Sequence, residues 1–361
     1  MMIKPNQHIV KIKPYVPGKP IEEVKRELGL KSVIKLASNE NPFPPSPKVL
    51  KAIQTAALQV NRYPDGTCYE LRQLLATRLK VKPEQFVFGC GSDEAIVLAL
   101  RAFVNPGDEV VMAKPSFLVY SIASTAVGAT LVEVPLKGLA YDLPAMRRAM
   151  TARTKIVFIG NPDNPSGLFP SKAEVAAFLK GFPEDVLVFF DEAYFEFVSD
   201  KDYADTLALF KTRQNIIVAR TFSKLYGLAG LRIGYAVAHP DVADLMNRAR
   251  EPFNVTSVAQ AAAVAALKDG AYYQKIRMIL DRERDVVCAG LMMMGVPFSK
   301  GSTNFIQVQV PRESRDVTLG LMKKGVIVRD MSVWGLQNYI RVTIGTPAEN
   351  KRFLKALKEV L

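Results

Sequence analysis

Short apolar runs recur through the middle of the chain at the spacing of strands in a layered fold. Phe86-Val87-Phe88, Val110-Val111-Met112, Thr130-Leu131-Val132, Lys155 to Ile159, Val186 to Phe190, Ile216 to Ala219 and Ile233 to Ala238 are separated by segments long enough for helices. Runs that are apolar at successive positions are buried on both faces, the pattern of a mostly parallel sheet flanked by helices. The fold class expected is α/β. In such sheets ligands bind beyond the carboxyl ends of the strands, so the residues after each run are the first place to look for chemistry.

Both ends of the chain break this pattern. Ile12 to Pro20 is proline-rich and reads as extended; a short helix comes next, opened by Pro20 and closed by Gly29. Lys35 to Pro45 is too rich in Pro and Asn for regular structure and reads as a linker. Ser46-Pro47 then starts a helix with Val49, Leu50, Ile53 and Ala57 on one face. Beyond about residue 250 come long helices (256–267 and 271–294), strand candidates at 304–310, 326–329 and 339–344, and a final amphipathic helix. This predicts residues 1–36 as an arm and part of a small domain, 37–250 as the large domain, and 251–361 as a small α+β domain. Met292, Met293 and Met294 read as helix core.

Several strand ends carry polar groups. Gly89-Cys90-Gly91-Ser92-Asp93 is a glycine turn opening a helix, either an anion site at free N–H groups around Ser92 and Asp93 or a helix start with acidic residues suiting its dipole. Asn161-Pro162-Asp163-Asn164-Pro165-Ser166-Gly167 comes after one run, Asp191-Glu192-Ala193-Tyr194 after another, and Ser223-Lys224 with Arg232 after a third. A lysine pinned beside a second cation is either an amine nucleophile toward a carbonyl or a surface residue in a glycine-rich turn. Arg329 and Arg341 each interrupt an apolar run, which is costly unless the guanidinium meets an anion or reaches water. Tyr15 reads as a packing residue on sequence alone, and Trp334, the only tryptophan, as a pocket wall or a core side chain.

Composition narrows the classes. With 361 residues the chain is long enough for two domains. It has no apolar stretch of membrane-span length and no apolar signal core at its N-terminus, so a cytoplasmic enzyme is expected. Cys68, Cys90 and Cys288, with His8 and His239, offer neither a disulfide framework nor metal-ligand spacing. The net charge of +13 is spread without a basic run, which favours a solvated basic surface over a nucleic-acid face.

Taken together, Ser38-Asn39-Glu40-Asn41-Pro42, Tyr63-Pro64-Asp65-Gly66, Gly91-Ser92-Asp93-Glu94, Asn164-Pro165-Ser166-Gly167, Asp191-Glu192-Ala193-Tyr194 and Ser223-Lys224 with Arg232 resemble the pyridoxal-phosphate enzymes of the aspartate aminotransferase fold. Within them the chain is similar to the histidinol-phosphate aminotransferase family, over nearly its whole length. The resemblance implies a ping-pong transamination from L-histidinol phosphate to 2-oxoglutarate through an aldimine at Lys224. It implies that Asp191 faces the pyridine nitrogen of pyridoxal 5'-phosphate, that Asn164 and Tyr194 bond its phenolic oxygen, and that Phe117 stacks on its ring. Ser92, Asp93, Ser223 and Arg232 would hold its phosphate, with Tyr63 reaching it from a second subunit of a homodimer. Tyr15, Asn41, Arg329 and Arg341 would bind the substrate. Three departures bear on these assignments: Phe117 where tyrosine is common, Ser166 for threonine, and Pro44 for glycine. The other readings left open are an aromatic amino-acid aminotransferase, a threonine-phosphate decarboxylase-like enzyme and, more distantly, a non-enzymatic anion- or nucleic-acid-binding protein.

Overall fold

The computed structural model describes residues 3–15 and 17–361; Met1, Met2 and Val16, the last of them within the segment expected to be extended, lie outside the described residues. Among the described residues the strands are β1 (Ile34–Leu36), β2 (Phe86–Gly89), β3 (Glu109–Lys114), β4 (Thr130–Pro135), β5 (Thr154–Gly160), β6 (Leu187–Asp191), β7 (Ile216–Thr221), β8 (Gly234–Val237), β9 (Phe298–Ser299), β10 (Phe305–Gln309), β11 (Val326–Asp330) and β12 (Tyr339–Thr343). They form two sheets, a seven-stranded one in the order β2-β8-β7-β6-β5-β3-β4 and a five-stranded one in the order β1-β11-β12-β10-β9.

Apart from the partly exposed edge strand β4, the large sheet is buried on both faces, and alternation along its strands assigns side chains to two separate cores. Val111, Val157, Val188 and Val218 belong to one, Val110, Ile156, Phe189 and Ile217 to the other. Adjacent strands from β4 to β7 run parallel, while β8 is antiparallel to both β7 and β2. A parallel return needs a crossover helix. Between β7 and β8 there is only a loop with a short turn at Ala229–Leu231, so residues 222–233 stay at the carboxyl edge of β7. Chain direction through the sheet switches between β3 and β5, which opens a crevice at their carboxyl ends.

The small sheet corrects the linker reading: Lys35 and Leu36 lie in β1, which pairs in parallel with β11 from Ile34↔Val326 to Leu36↔Val328. Long-range pairing has overridden weak local propensity there. β7 also runs two residues past Ala219, because Arg220 and Thr221 find partners that let them be buried. The helix Pro47–Ala57 has the expected Ser46 cap, but of its predicted apolar face only Val49 is buried; Leu50 is 42% exposed. Met292 and Met293 are 71% and 84% exposed, because they fall on the solvent face of the last turn of the helix Gly270–Met293, whose other face buries Leu291; Met294 packs partly buried against the core. A short helix at Gln7–Val10 had no sequence signal. No described helix is long and apolar enough to cross a membrane.

Candidate active site

A cavity of about 540 Å³ opens at the carboxyl edge of the large sheet, where it meets the small one. Its walls include Ser92, Asp93, Phe117, Asn164, Asp191, Tyr194, Ser223, Lys224, Arg232 and Arg341, together with Tyr15 and Trp334. Each strand delivers a side chain from its carboxyl end: Phe117 comes after β3, Asn164 after β5, Asp191 ends β6, and Lys224 comes after β7. A larger cleft, about 720 Å³ over Phe195 and Arg220, also carries lysines, carboxylates and phenols but no side-chain amide.

One end of the cavity is built for an anion. The helix Ser92–Phe103 begins after Gly91 with no side-chain cap, so its first N–H groups are left for another acceptor. Glu94 is turned back onto the turn, accepting from the Cys90 N–H and from Asn254 at 2.8 Å. Gly91 has φ +84°, and a Cβ on it would lie 2.6 Å from Arg232 Nη2; only glycine admits the guanidinium so close. Gly234 of β8 lets the backbone of this helix start lie against the strand, since a Cβ there would sit 2.4 Å from the Ser92 nitrogen. Arg232 reaches Ser223 Oγ at 3.5 Å and Asp93 at 3.3 Å, and Thr221 Oγ1 lies 3.0 Å from Ser223 Oγ. Arg232 and Asn39, both at this cavity's edge or wall, hold left-handed backbone at φ +52° and +56°, conformations that non-glycine residues keep where surroundings enforce them.

The middle of the cavity holds a buried carboxylate and an amine. Asp191 is 6% exposed. It accepts from Tyr120 Oη at 2.9 Å and from the Ala193 N–H at 3.1 Å. Burial pushes its carboxyl up to about 6, with the Tyr120 bond opposing that rise. Lys224 Nζ stands 5.4 Å from the centre of the Tyr194 ring. The Tyr194 hydroxyl accepts from Asn39 Nδ2 at 2.8 Å.

At the far end the two arginines of the small sheet stand directly opposite one another on β11 and β12, a like-charge pair on one face. Aromatic rings flank both. Arg329 lies over Tyr15 at 5.6 Å and Trp334 at 5.1 Å, and Arg341 over Phe305 at 5.2 Å and Trp334 at 5.7 Å. Arg341 is 5% exposed and donates to Asn164 Oδ1 and the Ala37 carbonyl. No carboxylate among the described residues is within salt-bridge distance of it. Burial brings its guanidinium down to about 10, with the Arg329 charge acting the same way.

Not every expected residue arrives here. Asn41 is outside the cavity, with its amide donating to the Leu225 carbonyl at 2.7 Å and its oxygen accepting from the Phe43 N–H; Asn39 faces the cavity in its place. Tyr63 is 83% exposed and stacks on Phe253 at 4.8 Å. Arg329 stands behind Tyr15 and Trp334. Tyr15 is half exposed, against the packing reading. Trp334 does both things considered for it: it walls the cavity, and its indole N–H donates to the Ser116 carbonyl at 2.9 Å. Sequence reasoning missed Tyr120 and Thr221. A tyrosine three residues after Phe117 on one helix face was the available signal for the first; the second gave none.

Residues 31–357 match the family Aminotransferase class I and II. The chain is 47% identical to the histidinol-phosphate aminotransferase of Moorella thermoacetica over 99% of this chain and 93% of that one. It is 45% identical to that of Caldicellulosiruptor saccharolyticus over 97% and 98%. In structure it is similar to the histidinol-phosphate aminotransferase of Sinorhizobium meliloti in complex with pyridoxal-5'-phosphate, with a TM-score of 0.91, 30% identity, and 99% and 98% of the two chains covered.

Proposed function

The chain belongs to the class I and II aminotransferase family and is a transaminase dependent on pyridoxal 5'-phosphate; within that family, we propose that it moves the amino group of L-histidinol phosphate to 2-oxoglutarate. The observation that carries the substrate is the buried Arg341 guanidinium, which faces the cavity with no carboxylate among the described residues to pair it and so suits an anion brought by the substrate. One anion pocket used in turn by a phosphate ester and a dicarboxylic acid fits two successive half-reactions.

The residues present suit the cofactor. The uncapped helix start with Ser223 and Arg232 would hold its phosphate, Asp191 its ring nitrogen, Phe117 one ring face, and Asn164 and Tyr194 its phenolic oxygen. When bound, it supplies an electron sink for the carbanion left as the substrate's α-proton departs. Lys224 Nζ would be the amine that holds the cofactor and the base that takes the substrate's α-proton and returns one. Asp191, ionised, would hold a proton at the ring nitrogen. Tyr194, held by Asn39, fixes the polarity beside Lys224. Arg341 orients the substrate through its anionic end.

Exposed apolar side chains along 50–63 and at 253, among them Leu58 at 83% and Tyr63 at 83%, support a homodimer in which this face is covered and Tyr63 serves the neighbouring site. A cytoplasmic location fits such a biosynthetic role.

The test is the visible spectrum of protein supplied with pyridoxal phosphate, recorded before and after L-histidinol phosphate, with glutamate assayed once 2-oxoglutarate is present. A shifted band and glutamate formation are expected. A band answering only to phenylalanine or tyrosine would move the substrate to the aromatic class. Lys224→Ala should cut turnover by on the order of 10³-fold or more, and full activity in that variant would end the assignment.

A further inference from the structure

Tyr120 is buried in the helix Leu118–Ala126, one turn after Phe117, with 1% of its surface exposed. Its ring stacks on Phe158 of β5 at 4.7 Å and 3°, and meets the edge of Phe117 at 5.6 Å and 88°. That clamp leaves the hydroxyl one direction, toward Asp191 Oδ2 at 2.9 Å. Phenylalanine would fill the same apolar space, and a hydroxyl buried there is costly unless bonded. Its use is therefore the bond itself.

We propose that Tyr120 is a positioning residue for Asp191: its phenol holds one carboxylate oxygen so that the group stays charged and turned toward the cofactor's ring nitrogen. This rests on the reading of Asp191 as the carboxylate that meets that nitrogen. The two oxygens have divided support, Oδ2 from Tyr120 and Oδ1 from the Ala193 N–H, and each keeps a further lone pair for the ligand. Burial holds the phenol well above its ordinary range, so Tyr120 stays protonated and donates throughout the working pH. The same helix start thus joins two roles. Phe117 faces the cavity while Tyr120, one turn on and in edge contact with it, steadies the carboxylate.

The charged and titratable groups facing Asp191 are Tyr120 on its helix, Asp93 at the start of the helix Ser92–Phe103, and Lys224 after β7. Tyr120 and Lys224 favour the ionised carboxylate and Asp93 disfavours it. Loss of the phenol raises the carboxyl further, so the acid limb of activity should move to higher pH.

The experiment compares wild type, Tyr120→Phe and Phe158→Leu. Cofactor affinity is measured by absorbance titration of the cofactor-free protein with pyridoxal phosphate, alongside kcat, KM and the pH–rate profile. In Tyr120→Phe the cofactor dissociation constant should rise about 10- to 100-fold, kcat should fall with KM little changed, and the acid limb should shift upward. Phe158→Leu loosens the clamp without removing a donor; it should lower the Tm and leave the acid limb in place. Tyr120→Phe with unchanged affinity and acid limb overturns the proposal, and so does Phe158→Leu reproducing both effects, which would make the contact packing alone. Wild-type protein that takes up no cofactor would bring down the reading of Asp191 and the inference with it.

Discussion

Arg220 and Arg341 are both buried arginines on strands, 6% and 5% exposed, yet their surroundings are opposite. Arg220, on β7 beneath the cavity, forks onto Glu192 at 2.8 and 2.7 Å and lies 3.6 Å above the Phe195 ring. Glu192 is itself saturated, accepting from Tyr203 at 2.7 Å and Thr206 at 2.5 Å. Burial lowers the Arg220 guanidinium, but attraction to Glu192, Tyr235 and Glu196 together with the Glu192 hydrogen bond outweighs it, so the group lies above its ordinary range. Arg341, on β12, has rings, an amide oxygen and a carbonyl around it, and its guanidinium is lowered to about 10 by burial. A buried cation with a resident carboxylate is part of the scaffold; one supplied only with dipoles and π faces has the surroundings that the proposed anion pocket requires. The difference also locates the boundary of the machinery, since Glu192 and Arg220 are chain neighbours of Asp191 and Thr221 and point away from the cavity.

The contrast breaks most sharply at Arg220. Arg220→Met leaves Glu192 charged and unpaired in the interior, which should cost about 3–5 kcal/mol of stability and lower both the Tm and the denaturant midpoint. An unchanged midpoint would show that Arg220 is not structural. Arg341→Met should instead raise KM for the phosphate substrate by about 10- to 150-fold, the worth of a charge-assisted bond. It should leave the Tm unchanged or higher, because a poorly compensated charge has been removed. A drop in Tm matching that of Arg220→Met would erase the distinction.

Asp191 supplies the anionic counterpart, with a smaller effect on stability. Its folded carboxyl, near 6, lies above the ordinary aspartate value of 3.8, so the folded state holds the proton more tightly. The favourable contribution is complete below about 4 and is lost as pH rises through 6, leaving a penalty at neutral pH. Asp191→Asn should therefore stabilise the cofactor-free protein by about 1–3 kcal/mol at pH 7 while removing turnover, and the gain should vanish in melts near pH 4. A variant equally stable or weaker at pH 7 would contradict the burial argument.

What the sequence determined by itself is what depends on local order. Successive apolar residues marked the inner strands of the large sheet, since burial on both faces leaves no alternation to misread; the edge strand β4 was marked too, although it is partly exposed. The strand-end rule then gathered Asn164, Asp191, Ser223 and Lys224 at one edge, where β5, β6 and β7 do end. Glycine at 91 and serine at 92 announced a turn opening a helix, and the structure showed that this start has no side-chain cap. The tertiary structure decided what depends on neighbours distant in the chain. Lys35 and Leu36 became strand because β11 lay beside them, not because of their own preference. Asn39 rather than Asn41 turned to the cavity because the Leu225 carbonyl captured the latter. Met292 and Met293 fell outside the core because the last turn of their helix presents Leu291, not them, to it. Arg220 and Arg341 look alike as letters in apolar runs. Only the presence of Glu192 beside one, and of Trp334 and Phe305 beside the other, separates a charge paired with a carboxylate from one without, because the free energy of a buried ion is set by its partners in space.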